Sequence, residues 1–139
     1  FNGYWNKPDE TAQAWCNGWV TAGDLGWQDQ DGFLYIDGRA KDMIITGGVN
    51  VYPKEVENAL LAFGGVSEAA VVGIPDEHWG ERVVAFLVSE HPELDLAALG
   101  AHCKALLSNF KIPKEYRIIK ELPRNPTGKL LRRVLRDQL

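Results

Sequence analysis

The sequence predicts an α+β fold: a small domain with a central antiparallel or mixed sheet flanked by helices, preceded by a β-hairpin. Three observations carry this reading. The run Val83-Val84-Ala85-Phe86-Leu87-Val88, within Arg82–Ser89, is apolar, β-branched and aromatic, as a buried strand requires. Pro53 opens a helical stretch to about Leu61 that places Val56 and Leu60 on one face. Asp95 precedes Leu96, Leu99, Cys103, Leu106 and Leu107 at helical spacing, with the aspartate in the N-cap position. Helices between strand groups imply a small sandwich with helices on the sheet faces.

Taken in order, Lys7–Ala14 reads as a short helix opened by Pro8 and Asp9. Trp19-Val20-Thr21 reads as a strand. Gly26–Ile36 reads as a hairpin, with Asp29-Gln30-Asp31-Gly32 as its turn and Phe33-Leu34-Tyr35-Ile36 returning. Residues 1–37 hold all but one of the five tryptophans, namely Trp5, Trp15, Trp19 and Trp27. So short a segment supplies no surface to cover them, so it is expected to be the edge of a larger domain. The first residue, Phe1, agrees with a piece of a longer protein. Beyond a charged turn at 38–42, Met43-Ile44-Ile45 is a short strand and Thr46–Tyr52 a Gly-rich turn. Glu68–Ile74 is a strand ended by Pro75, Tyr116–Ile119 is another, and Leu130–Leu139 is a terminal helix with Lys129, Arg132, Arg133 and Arg136 on a basic face.

Bulk properties limit the function. The chain has 139 residues and a formal net charge of −4, which argues against nucleic acid as a partner. No apolar run approaches the roughly 20 residues of a membrane span, and no secretory signal is visible. Cys16 and Cys103 stand alone, without the spacing of a zinc site or a disulfide framework, which suits a reducing cytoplasm. His78, His91 and His102 show no metal-ligand spacing and read as surface residues, and no metal site is expected in these residues. Trp79-Gly80-Glu81 falls in a polar loop, where an exposed tryptophan would suit a contact role.

Four motifs carry chemistry. Pro123-Arg124-Asn125-Pro126-Thr127-Gly128-Lys129 projects a lysine from a turn, where an ammonium can neutralise charge developing on a phosphate or carboxylate oxygen. It is not a P-loop, because Pro123 and Leu130 occupy positions that need Gly and Ser or Thr. Taken alone, the motif fits an exposed lysine at a helix start better. Gly38-Arg39-Ala40-Lys41-Asp42, charged and between apolar strands, is either an interdomain hinge or an ordinary turn. Asp24, at a strand end after Gly23, can accept both hydroxyls of a ribose, although taken alone it fits a solvated turn aspartate better. Gly47-Gly48-Val49-Asn50 permits close backbone approach to a ligand.

These motifs, with Gly18-Trp19, Asp31-Gly32-Phe33-Leu34, Val51-Tyr52-Pro53, Glu55-Val56-Glu57 and Trp79-Gly80-Glu81, occur in one order over nearly the whole chain. The sequence resembles the C-terminal portion of the adenylate-forming superfamily: acyl-CoA synthetases, peptide-synthetase adenylation domains and luciferases. The resemblance implies residues 1–37 as the edge of a large N-terminal domain, 38–42 as hinge, and 43–139 as a small mobile lid. It implies a carboxylate activated by ATP as an acyl-adenylate and then transferred to CoA, with Mg2+ bound elsewhere in the full enzyme. Asp24 and Arg39 would bind the ribose region of ATP, and Lys41 would be the hinge. Lys129 would serve adenylation, and Gly47, Gly48 and Val49 would line the pantetheine tunnel. The implied partners are the N-terminal domain, the carboxylate and CoA, with a lysine acetyltransferase and deacetylase acting at Lys129. Ala22 stands where the family usually has Thr, and the family's Ser/Thr/Gly-rich phosphate loop is not in this sequence, so the chain alone is expected to be inactive. A peptide-synthetase-like lid or a non-catalytic docking module are the alternatives; retention of both Lys41 and Lys129 favours a catalytic lid over a docking module, and the phrasing of Trp79-Gly80-Glu81 and of residues 47–53 looks more like the CoA ligases.

Overall fold

The computed structural model describes residues 1–91 and 93–139. It divides into two compact units, Phe1–Lys41 and Asp42–Leu139. In the first, helix α1 (Pro8–Ala14) has proline in its opening turn and Asp9 and Glu10 beside it, where a missing N–H costs nothing and negative charge meets the helix dipole. Strands β1 (Trp15–Cys16) and β2 (Trp19–Val20) pair antiparallel. Strands β3 (Asp24–Gln28) and β4 (Leu34–Arg39) form the predicted hairpin, extended at its open end, so that Asp24 and Arg39 become register partners. A two-residue strand has no periodicity to read, which is why β1 has no counterpart in the sequence reading. The Asp29 carboxylate closes the hairpin turn, accepting from the N–H groups of Asp31 and Phe33 and from the Tyr35 hydroxyl.

The second unit is an α+β domain built on five strands: β5 (Ile44–Thr46), β6 (Val49–Val51), β7 (Val66–Asp76), β8 (Gly80–Ser89) and β9 (Glu115–Ile118). The order is β6-β5-β8-β7, and β9 joins β8 in parallel. The long β7–β8 hairpin is the spine. β8 gives one edge to β7 along its length and shares the other, meeting β5 at Gly80 and β9 from Val84 to Leu87. Its side chains alternate between two cores, as a strand covered on both faces must. Val83, Ala85 and Leu87 join Val56 and Leu60 of helix α2 (Pro53–Leu61) and Leu99 and Cys103 of helix α3 (Leu96–Leu106). Val84 and Phe86 meet Ala70, Val72, Leu122 and, from helix α4 (Arg132–Arg136), Leu135. Each of the buried Val, Leu and Phe side chains contributes about 1.5–3 kcal/mol. Asp95 caps α3 as expected, accepting from the N–H groups of Ala97 and Ala98, both at 2.9 Å.

Four expectations need correction. Thr46–Tyr52 is not all turn: only Gly47 and Gly48 turn, and Val49–Val51 returns as β6. Pro75 does not end β7, which runs to Asp76. Val71 N–H leaves the sheet toward Glu57, and Pro75, four residues on, lies on the same outer side, where a missing N–H breaks no ladder bond. The terminal helix is confined to Arg132–Arg136, because Leu130 bridges Arg124 and the Leu131 N–H donates to Pro123 O at 2.8 Å. His102 is half-buried: its Nε2 donates to Ala59 O at 3.0 Å, tying α3 to α2.

Candidate functional site

In the first unit, the β3–β4 register sets Asp24 opposite Arg39, with Arg39 Nε 3.3 Å from Asp24 Oδ1. Both side chains are about two-fifths exposed, at 39% and 41%. The carboxylate is thus oriented by a guanidinium while still reachable, and among the described residues its second oxygen has no partner and can accept a hydroxyl. Lys41, exposed, follows in the 3-10 turn Ala40–Asp42, whose Ala40 N–H donates to Gly23 O at 2.8 Å. The start of that turn is therefore tied to the residue preceding Asp24. An open depression of about 400 Å³ lies beside it, lined among others by Lys7, Gln13, Gly23 and Lys41.

In the second unit, Gly47 and Gly48 have φ of 57° and 77° and form a two-residue turn closed by Thr46 opposite Val49. Positive φ at both central positions is what such a tight hairpin turn demands. The Gly47 N–H donates to Trp79 O at 2.8 Å, and a Cβ on Gly47 would lie 3.1 Å from the Trp79 ring. Glycine here serves both conformation and contact. Trp79 is exposed on the β7–β8 turn, which Asp76 fastens by accepting from the N–H groups of His78 and Trp79, whereas Gly80 and Glu81, expected in a loop, open β8 by pairing with Asp76 and Pro75. Those two hydrogen bonds hold the Asp76 carboxyl below the ordinary carboxylate range. Lys114 Nζ stands 5.9 Å from the centre of the Trp79 ring, within cation–π reach.

Lys129 sits on a closed loop. The Asn125 side-chain oxygen accepts from Thr127 N–H at 3.1 Å, the Thr127 hydroxyl at 2.8 Å and Lys129 N–H at 2.8 Å. Asn125 N–H donates back to Lys129 O, and Gly128 N–H to Asn125 O, each at 2.9 Å. Gly128 has φ 82°, which its lack of a Cβ allows. Arg124 donates to Gly128 O at 3.0 Å and pairs with Glu68 on β7. Lys129 itself is exposed, and no carboxylate among the described residues pairs with it.

The Gly47 turn and the Lys129 loop are apart. The turn adjoins Gly80, the partner of Asp76, whereas the loop is held by Glu68. From Glu68 to Asp76 is eight residues of extended strand (76 − 68), or roughly 26 Å.

One group was not legible as a site. Arg132, expected on a basic face, turns inward. Its guanidinium lies 2.8 Å from buried Glu57, 3.3 Å from Val71 O and 3.6 Å from Asp42. Glu57 in turn accepts from Val71 N–H at 2.9 Å. Asp42, α2, β7 and α4 thus meet at one charged knot. A charge pattern read along one element cannot show this, because the partners come from three others.

Among the described residues no group of three or more His, Cys, Asp or Glu could hold a metal ion, and no helix is long and apolar enough to cross a membrane.

Residues 55–129, more than half of the chain, match the AMP-binding enzyme C-terminal domain family. A long-chain-fatty-acid–CoA ligase of Mycobacterium tuberculosis is 47% identical over 135 residues, covering 97% of this chain and 27% of that protein. A sulfoacetate–CoA ligase of Cupriavidus necator is 51% identical over 132 residues, covering 94% of this chain and 26% of that protein. Among solved structures, ATP-bound MatB from Rhodopseudomonas palustris superposes with a TM-score of 0.91 at 40% identity, over 99% of this chain and 28% of that one. The chain spans about a quarter of the length of the curated relatives it matches. With its α+β fold and its ordered motifs, the chain belongs to the AMP-binding enzyme C-terminal domain family, within the adenylate-forming superfamily that includes the acyl-CoA ligases.

Proposed function

We propose that this chain is the C-terminal part of an ATP-dependent acyl-CoA ligase, in which residues 43–139 act as a mobile lid, residues 38–42 as its hinge at Lys41, and residues 1–37 as the edge of the N-terminal domain. The observation that carries the reading is the exposed Lys129 on a hydrogen-bonded loop, far along β7 from an equally well-formed Gly47-Gly48 turn. Two separate features suit two successive steps better than one.

In the first step a carboxylate oxygen attacks the α-phosphorus of ATP, forming the acyl–phosphate bond as pyrophosphate leaves. Asp24 accepts the ribose hydroxyls, and Arg39 steadies that carboxylate and contacts the ribose region. The Lys129 ammonium stands over the reacting oxygens and offsets their growing negative charge. Mg2+, held by the remainder of the enzyme, would shield the departing pyrophosphate. In the second step the lid turns about Lys41. The CoA thiol, losing its proton to solvent, attacks the acyl carbonyl and expels AMP. Gly47, Gly48 and Val49 line the pantetheine path, where the absence of two side chains leaves room. The partners are the N-terminal domain, the carboxylate and CoA, in the cytoplasm. Lys129 is also a target for acetyl transfer and removal, because acetylation cancels its charge. Relatives acting on a long-chain fatty acid and on sulfoacetate share this region at similar identity, which supports placing acid selection elsewhere in the protein.

The test uses the full-length enzyme. Lys129→Ala is expected to slow acyl-adenylate formation by about 100- to 1000-fold while sparing thioester formation from supplied acyl-adenylate. The 139-residue chain alone is expected to give no carboxylate-dependent ATP–pyrophosphate exchange. Loss in neither half-reaction would return Lys129 to an ordinary surface role, and equal loss in both would point to misfolding.

A further inference from the structure

We infer that Asn125 is a positioning residue for adenylation: its side-chain carbonyl holds the Lys129 loop in its working shape before any substrate arrives. The inference rests on the reading of Lys129 given above.

A lysine reaching a reacting phosphate is useful only if its Cα is placed. Its own side chain has four rotatable bonds, so the backbone must supply what order there is. The loop has three residues that favour open conformations, Pro126, Thr127 and Gly128, and all are exposed. Buried apolar side chains therefore do not hold it. Asn125 does, through one oxygen. Oδ1 accepts from Thr127 N–H, the Thr127 hydroxyl and Lys129 N–H at 3.1, 2.8 and 2.8 Å. The third of these fixes the amide of Lys129 itself. The backbone of Asn125 adds a donor to Lys129 O and an acceptor for Gly128 N–H, each at 2.9 Å. The closed ring is then bolted to the sheet next door, where Arg124 donates to Gly128 O and pairs with Glu68 on β7.

Without the side-chain oxygen, the Thr127 and Lys129 amides would turn to water and the loop would sample several shapes. The cost of reordering it would fall on each adenylation event. Thioester formation, which uses the other end of the hairpin, would not feel it.

Three variants of the full-length enzyme test this: Asn125→Ala, Asn125→Asp and Lys129→Ala. Asn125→Ala is expected to lower the rate of acyl-adenylate formation at saturating ATP and acid by about 10- to 100-fold, the effect of displacing a catalytic group by about an ångström. Thioester formation from supplied acyl-adenylate should remain within about twofold, and amide exchange over 125–131 should quicken. Asn125→Asp keeps the acceptor oxygen, so adenylation should recover to within about threefold of the wild type. A normal adenylation rate in Asn125→Ala, with Lys129→Ala inactive, overturns this inference alone. So does an Asn125→Asp variant as impaired as Asn125→Ala, or equal loss in both half-reactions. Full adenylation by Lys129→Ala would remove the reading of Lys129, and this inference with it.

Discussion

The two units use apolar residues in opposite ways. Among the described residues of Phe1–Lys41, only Ala14 is buried, while Trp5 and Trp19 are 90% and 79% exposed and Phe33, Leu34 and Ile36 also face outward. From Asp42 onward the residues make two separate cores, with Phe86, Leu60, Leu99 and Leu135 fully enclosed. Aromatic content does not distinguish the two, since the first unit is the richer. What differs is layering. A two-stranded ribbon and a seven-residue helix have no second layer to close over them, whereas β8 is covered on both faces. Apolar side chains stabilise a fold only when something removes them from water.

Three experiments on the 139-residue chain bear on this contrast. The largest effect is expected from its two thiols, one in each unit. Cys16 is exposed, whereas Cys103 is buried and its thiol is pushed up by that burial. Cys16 should react with a thiol reagent at least about 1000-fold faster, because Cys103 waits for opening of a cooperative core. Similar rates would mean that the second unit opens as readily as the first. Next, Phe86→Ala should destabilise by about 3–5 kcal/mol in a denaturant titration, and Trp19→Ala by no more than about 0.5 kcal/mol. A large loss from Trp19→Ala would show that the first unit conceals a core.

The smallest effect concerns acid. Hydrogen bonds from Arg117 and then Arg82 hold the Glu115 carboxyl below its ordinary range. A depressed carboxyl adds stability above its unfolded value, about 4.3, and loses it as pH falls through the lower folded value. Glu115→Gln should therefore flatten the acid limb of the stability profile by up to about 1 kcal/mol, since solvent screens the partly exposed pair. Glu10→Gln should leave that limb unchanged, because its pair with Lys7 stands in open solvent. A larger response from Glu10 would reverse the contrast.

Where periodicity and local chemistry act alone, the sequence was readable. The run 82–89, the Pro53 helix and the Asp95 cap are each decided within one turn or one strand. The same holds for the hairpin turn at Asp29. Features decided between elements were not readable. β6 is a strand only because Gly47 and Gly48 fold it back on β5. The Leu130–Leu139 helix is shortened by a bridge to Arg124, and Arg132 is turned from the surface by Glu57 and Asp42. The candidate residues themselves were named from motif and resemblance. Their geometry, above all the Asn125 ring around Lys129, depends on hydrogen bonds that no residue pattern prints. Asn125 carried a faint signal all the same, as a turn-forming residue four positions before the lysine.

The Glu57–Arg132 contact has a consequence for solubility. β7 is eleven residues long and, among the described residues, has a strand neighbour on one side only. A long unpaired margin of this kind invites another chain to zip onto it, the first step toward aggregates. At Val71, in the middle of that margin, both backbone groups are already taken, the N–H by Glu57 and the carbonyl by Arg132. Pro75, on the same side, has no N–H to lend. An incoming strand would have to displace a half-buried guanidinium and a buried carboxylate before making its first bond there, and would meet a gap four residues later. The domain thus carries its own guard against self-assembly through the sheet.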